Sequence, residues 1–390
     1  MRRIFERIES ITRWMDRLAL TQVSVAGHAR PAFQVCGCAG LIAAVALSLI
    51  LVSASGLSYL VMGVIVFAAV ATFLALVFAT KIVTGEERII YYHHEIAVML
   101  AAGFVARMMR SPVLPYLDVT ILGIGAFLAC GRVGCLMVGC CHGRPAPWGI
   151  RYDEEHVSEG FAPYLVGVRL FPVQAIEAIW VLLVALTGGL LILRGAAPGT
   201  ALAWYTITYG TARFVLEFGR GGADRPHRWA FSEAQWLSVA LILVAIGSEI
   251  SGLLPFAAWH VVVVAVMVLG AFAIALHRQL DPARTFQMWH PQHVREIASA
   301  LRNQGTGIVV SATSAGIQIS AGEIVAADGV LRHYSFSLRN GSLEHETAAV
   351  LADLVMRLRH SSTTPELVRG NGGVFHLLVR ETAQEELAPQ

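Results

Sequence analysis

Charge is what this 390-residue chain has least of. Only 14% of its residues are Asp, Glu, Lys or Arg, and 56% are hydrophobic, whereas an average soluble domain carries roughly a quarter charged residues. That shortage excludes an ordinary soluble globule for most of the length. Two stretches, 34–54 and 57–80, contain no charge at all, and each is long enough for a membrane-crossing helix of about 20 residues. Lysine is nearly missing: Lys81 is the only one among 29 basic residues. The cationic chemistry therefore falls to arginine, whose planar fork grips phosphate bidentately and tolerates burial, which suits a phospholipid headgroup site, although genomic base composition accounts for the bias equally well. The net charge of +2 points to no class of partner, and no nucleic acid is expected. No internal repeat is present. The six cysteines lack the common paired spacing of a metal site, because Cys140 and Cys141 are adjacent, so the expected metal set is none. The basic region before the first apolar run is too long for a cleavable signal peptide, and that run is read as an uncleaved helix.

Further apolar runs follow at 89–106, 113–131, 173–193 and 199–219, each carrying ionisable residues, and a longer one at 234–276 breaks at the Gly and Pro of "SGLLP". The expected fold is an α-helical integral membrane protein of about eight transmembrane helices, with a small extramembrane cap and a C-terminal soluble α+β domain. Residues 1–33 read as an amphipathic arm lying on the membrane surface, with Ile4, Ile8, Ile11 or Thr12, and Met15 on one face. Residues 34–280 form the membrane domain, and the polar, proline-punctuated segment 143–171 is its cap. Residues 281–390 have soluble composition, with helical spacing in "HVREIASALRNQ" and "SLEHETAAVLADLVMRLRH". Strand alternation runs through "TGIVVSATSAGIQISAGEI", "GVLRHYSFSLRNG" and "GVFHLLVR", with Gly and Asn-Gly turns. His290 and His293 in "WHPQH" read as plain surface residues.

Ionisable side chains inside spanning helices are costly, so they pair, face a cavity or do chemistry. His93, His94 and Glu95 open the third span, Asp118 and Arg132 lie on the fourth, Gln174 and Glu177 stand one turn inside the fifth, and Arg213 and Glu217 share a face of the sixth. Alternating direction along the chain brings His93, Arg132, Glu177, Arg213 and Glu217 toward one leaflet surface. Arginines there would hold a lipid phosphate, a histidine would accept a proton, and carboxylates would orient both. The stretch "GRVGCLMVGCCHGRP" (131–145) reads as a flexible loop whose glycines 131, 134, 139 and 143 let the backbone approach a ligand. Its cysteines leave open a thiol redox or metal reading at Cys135, Cys140 and Cys141.

Four segments together carry a family resemblance. "GRVGCLMVGCCHGRP" resembles the signature region of the prolipoprotein diacylglyceryl transferases. "YYHHE" lies where that family has a His-Gly-Gly, "FPVQAIEA" resembles its His-Pro-x-Gln-(apolar)-Tyr-Glu, and "YGTARFVLEFGR" resembles its Tyr-Gly-x-x-Arg-Phe-x-x-Glu-Phe-x-Arg. "FSEAQWLSV" is similar to the start of its last helix. The resemblance covers roughly residues 34–250. It implies transfer of the diacylglyceryl group from phosphatidylglycerol to the cysteine thiol of a preprolipoprotein, releasing glycerol 1-phosphate, in a multi-pass protein of the bacterial inner membrane, with no cofactor. By the same resemblance Arg132 and Arg213 contact the phosphate, Glu217 orients Arg213, and His93, or His94 beside it, is the base. Gly134, Cys135, Cys140, Gly143, Arg144, Gln174, Glu177 and Arg220 complete the substrate site. The sequence departs from the pattern: the family's asparagine is Cys135, its signature glutamate Cys140, its His-Pro histidine Phe171 and its tyrosine Ile176, and "AFQVCGC" lacks the tyrosine of the first helix. A divergent member is therefore expected, and an alternative is a non-catalytic one that binds lipid or lipoprotein in the same cavity and recruits through its C-terminal domain.

Overall fold

The computed structural model describes residues 10–85, 91–222, 227–228, 231–280, 285–302, 310–326, 329–339, 341–359 and 365–382. Among the described residues up to 280, eight long helices occur: α1 (Ala32–Ala54), α2 (Tyr59–Thr84), α3 (Tyr91–Met108), α4 (Val113–Val138), α5 (Val173–Leu193), α6 (Thr200–Leu216), α7 (Glu233–Ile250) and α8 (Ala258–Leu280). Among the described residues six of them, all but α3 and α6, are long and apolar enough to cross a membrane. Large apolar side chains such as Leu60, Phe67, Phe104, Val244 and Phe272 stay exposed on the outer helix faces, a surface that suits lipid rather than water. The chain is a multi-pass membrane protein.

Helix α4 is the axis of the bundle and is buried along most of its length. It packs against α1, α3, α5 and α6, and glycines set how close they come. A Cβ on Gly125 would stand 2.7 Å from Tyr205 Cε2, and one on Gly134 would stand 3.0 Å from the Cys36 Cβ, so small residues let the backbones approach as they do in membrane bundles generally. Asp118 links two elements. Its carboxylate accepts from the backbone N–H groups of Gly199 (2.6 Å) and Leu202 (2.7 Å), capping α6 from a neighbouring helix and satisfying donors that would otherwise be stranded. A capping box of Ser232 and Gln235 starts α7.

The expected surface arm takes a different form. Residues 10–16 are helical, but a hairpin of β1 (Gln22–Val25) and β2 (His28–Pro31) follows before α1; residues 1–9 lie outside the described residues. Met15 is buried in the cap, and Asp16 accepts from the Arg151 N–H (3.0 Å) and the Arg169 guanidinium (3.2 Å). The arm is thus tied to the cap. That cap contains β3 (Pro145–Ile150) and two short 3-10 turns around Tyr152, Phe161 and Leu165.

The C-terminal segment folds as α+β. Strands β4 (Ser311–Ala312), β5 (Ile317–Ala326), β6 (Gly329–Leu338), β7 (Glu366–Arg369) and β8 (Phe375–Thr382) form one antiparallel sheet in the order β4-β5-β6-β8-β7. Alternate residues Ile317 and Ile319, Tyr334 and Phe336, and Phe375 and Leu377 enter one core with Ile297 and Leu301 of α9 (Pro291–Arg302) and Leu351 and Val355 of α10 (His345–Arg359). Asn340 of the expected Asn-Gly turn lies outside the described residues. The sheet domain rests on the cap, where the Arg357 guanidinium donates to the Pro145 carbonyl (3.3 Å) and Leu358 joins the cap's apolar cluster.

Candidate functional site

The helix α4 continues seven residues past the expected end of its span, through Gly131, Arg132, Gly134 and Cys135 to Val138. The first half of the signature stretch is therefore helix rather than loop, which corrects the flexible reading of its glycines. Gly131 has open space around its Cα, and Gly134 packs against Phe33 and Cys36 of α1. Neither turns the chain. Gly139 does: at φ 83 it sits in the left-handed region, and its N–H bonds back to the Cys135 carbonyl (3.0 Å). The loop from 139 to 144 is then sewn to two other motifs. The Gly221 N–H donates to the His142 carbonyl (3.0 Å), the Arg144 N–H to the Gly219 carbonyl (2.9 Å) and the Phe171 N–H to the Arg144 carbonyl (2.9 Å). Gly143 passes so close to the Phe171 carbonyl that no side chain fits there.

These connections bring the charges together. Glu177, one turn into α5, is fully buried. Its carboxylate receives Arg132 Nε at 3.0 Å, Arg213 Nε at 3.6 Å, the Tyr209 hydroxyl at 2.9 Å, and Nη2 of Arg220 in a very short contact. Glu217 pairs with Arg213 and lies 3.4 Å from Arg220 Nε. Three guanidiniums face two carboxylates in a site closed to water. The five groups carry one positive charge in excess, which burial makes expensive unless an anion joins them. Arg144 lies at the rim, its Nε donating to the Arg220 carbonyl (3.2 Å). Burial holds its guanidinium below the ordinary value, against the pull of Glu217.

The remaining expected residues fall outside this cluster in instructive ways. Gln174 donates to the Cys140 carbonyl (3.0 Å) and so shapes the loop. Cys135 lies 3.9 Å from Arg132 Nη1. His93 is half-exposed and pairs through Nε2 with Glu233 of α7 at 3.1 Å. His94 is buried with its ring 4.9 Å from that of Phe73 in α2. His93 thus lies at the same end of the bundle without entering the arginine cluster. Asp118 sits near the opposite end of α4, fourteen residues or roughly 21 Å from Arg132 along the helix, and is a cap. His293 is no surface residue: it is buried, bonding the Met288 carbonyl (3.0 Å) and Thr313 (3.1 Å).

A family model described as prolipoprotein diacylglyceryl transferase matches residues 38–250, more than half of the chain and all of the helices that build this cluster. The chain belongs to the prolipoprotein diacylglyceryl transferase family. It is 29% identical over 136 residues to a phosphatidylglycerol--prolipoprotein diacylglyceryl transferase of Clostridium tetani, covering 34% of this chain and 52% of that one. The corresponding Dehalococcoides mccartyi (strain BAV1) protein is 37% identical over 131 residues, covering 33% and 47%. A protein of the same name numbered 2, from Clostridium perfringens, is 29% identical over 137 residues, covering 34% and 49%. The chain spans about half the length of these relatives. One member of the cluster, Tyr209, opens the "YGTARFVLEFGR" segment but is not among the expected site residues. Tyr209 stands four residues before Arg213 and therefore on its helix face, the spacing that would have marked it.

Proposed function

We propose that this chain transfers the diacylglyceryl group of phosphatidylglycerol to the cysteine thiol of a preprolipoprotein, releasing glycerol 1-phosphate, in the bacterial inner membrane. The single observation that carries the reading is the buried Arg132–Arg213–Arg220 cluster with its excess positive charge, within helices that match a family of this name. In this reading α3 and α6 also cross the membrane, giving eight spans, and the chain divides into the arm at 1–33, the catalytic membrane domain at 34–280 and the α+β domain at 281–390.

Arg132 and Arg213 hold the lipid phosphate, and Glu217 keeps Arg213 aimed at it. Gly134, Cys135, Cys140, Gly143, Arg144, Gln174, Glu177 and Arg220 form the walls and supports of the substrate site. As the acceptor sulfur forms its bond to the glyceryl carbon, the carbon–oxygen bond to phosphate breaks and the departing glycerol 1-phosphate gains charge beside the arginines. Preorganised guanidiniums stabilise that charge most in the transition state. His93 takes the thiol proton at Nδ1 while Glu233 holds Nε2; His94 is the second candidate.

The purified protein in detergent with phosphatidylglycerol and a lipobox peptide is expected to yield the thioether product. Arg132→Ala and Arg213→Ala should each abolish it and fail to rescue a transferase-depleted bacterium. Retained transfer in both variants sinks the assignment. Wild-type protein that binds phosphatidylglycerol yet neither transfers nor rescues would identify a non-catalytic binder instead.

A further inference from the structure

Next to the arginine cluster lies a group of three cysteines, two of which, Cys135 and Cys140, also line the substrate site, but whose thiols take no chemical part in the transfer. The sulfur atoms of Cys135, Cys140 and Cys141 all stand within 4.8 Å of one another. The sequence leaves a metal reading of these cysteines open but does not bring them together, because their spacing has neither the paired pattern of a zinc motif nor a regular helical interval. The fold supplies the convergence. Cys135 projects from the last turn of α4, Gly139 reverses the chain in the left-handed region, and Cys141 itself is held at φ 54, a conformation that non-glycine residues pay to adopt. Backbone anchors keep the loop in that shape: the Cys140 carbonyl accepts from Gln174 (3.0 Å) and the Cys141 carbonyl from Arg220 (3.4 Å).

We propose that these three cysteines form a binding site for one thiophilic d10 cation held by three thiolates. Sulfurs bonded at about 2.3 Å to a common centre lie roughly 4 Å apart, so small rotations of the side chains close the site. Thiolates select soft ions. Among the described residues the three sulfurs are the ligand atoms that gather here; the ring of His142 packs on Phe161, with Nδ1 on the Gly143 carbonyl (2.9 Å). A set of three donors favours copper(I), which accepts trigonal coordination, over zinc, which prefers four ligands.

Charge balance agrees with this assignment. Binding converts up to three thiols to thiolates and releases up to three protons, so a copper(I) centre carries a net charge of about −2 from one cation and three thiolates. The adjacent cluster, with its single excess positive charge and Arg132 Nη1 3.9 Å from the Cys135 sulfur, offsets part of that negative charge. Burial of Cys135 with partial access at Cys140 and Cys141 leaves a route in from the loop side. The site stands whether or not the chain transfers lipid, since metal binding is read directly.

The test is anaerobic titration of the purified full-length protein in detergent with copper(I), and separately with zinc, against a competing chelator, with the bound metal quantified and protons counted by pH-stat. One equivalent of copper(I) bound with proton release and a metal-induced rise in Tm is expected. The triple variant Cys135→Ser, Cys140→Ser, Cys141→Ser should lose both, while the triple variant Cys36→Ser, Cys38→Ser, Cys130→Ser should retain them. One equivalent of zinc bound with the same cysteine dependence also supports the site and reassigns its preferred ion. Wild-type protein that binds neither metal, or binds both as well as the loop variant does, overturns the proposal, and that result would leave the lipid-transfer assay untouched.

Discussion

Glu177 decides whether the arginine cluster can exist without ligand. Its carboxylate touches all three guanidiniums as well as Tyr209. Glu177→Gln keeps the shape and an acceptor for the Tyr209 hydroxyl but leaves three cations facing Glu217 alone. Removing one partner from a buried ion set costs about 3–5 kcal/mol, because the desolvated charge that remains has nothing to offset it. The variant is expected to lose transfer and to melt far below wild type in detergent. Tyr209→Phe deletes one neutral-to-charged hydrogen bond and should cost only about 1–2 kcal/mol, so the two melting curves rank the contributions. A Glu177→Gln protein as stable as wild type would mean that the cluster is not the electrostatic hub of the fold. The same residue shows what sequence conveys at this scale. Ionisable residues one turn inside an apolar run announce themselves, but the identity of the hub does not. Glu217 sits at the more obvious spacing from Arg213, and only the packing of α4, α5 and α6 makes Glu177 central.

At the scale of the element, the informative feature is where α4 stops. Reading the span as ending near Arg132 follows from composition, because glycines, an arginine and cysteines end the apolar run. Yet the helix persists to Val138 because its glycines there face α1 or open space and cost little in a packed bundle. The multi-pass helical region and the C-terminal sheet were legible, since long apolar runs and period-two alternation are strong local signals. The hairpin at 22–31 was not, because its two strands are only four residues each and mostly exposed, too short for alternation such as that of Gln22–Val25 to stand out. The true stop lies at Gly139. Its φ of 83 and a Cβ position 2.8 Å from Phe161 and 3.2 Å from Tyr152 mean that Gly139→Ala meets both backbone strain and a clash. Left-handed geometry alone costs an L-residue about 1–2 kcal/mol. Gly131→Ala, inside the helix with open space around it, should be neutral or slightly stabilising, as replacing glycine with alanine in a helix gains roughly 0.5–1 kcal/mol. Thermal melts of the two variants check the boundary. Equal effects would mean that α4 does not end where the structure ends it.

For the molecule as a whole, the sheet domain is the part whose stability should respond to pH near neutrality. His293 is buried in its core, with Nδ1 on the Met288 carbonyl and Nε2 on Thr313, and burial holds its pKa below the usual histidine value of 6.5. His333 on β6 stacks on His376 of β8 with Nε2 and Nδ1 2.9 Å apart, and desolvation together with that neighbour lowers its pKa as well. A histidine with a depressed folded-state pKa stays neutral in the native domain while the unfolded chain takes up a proton. Its contribution is therefore fully present above the unfolded value of about 6.5 and is lost as pH falls through and below it. Hydrogen exchange on the full-length protein in detergent should then show peptides from 285–302 and 310–382 losing protection as pH falls from about 7 to about 5, after correction for the intrinsic rate. Peptides from α4 and α5 should keep theirs, because no histidine of this kind holds their packing among the described residues. His293→Gln, which keeps one donor and one acceptor but does not titrate, should flatten part of the sheet domain's response. A wild-type domain whose protection is unchanged or rises over that range would contradict the neutral, buried state of these imidazoles. Because the Arg357 guanidinium and Leu358 join this domain to the cap, loosening it should also expose the cap segment around Pro145, and that peptide gives a second readout of the same event.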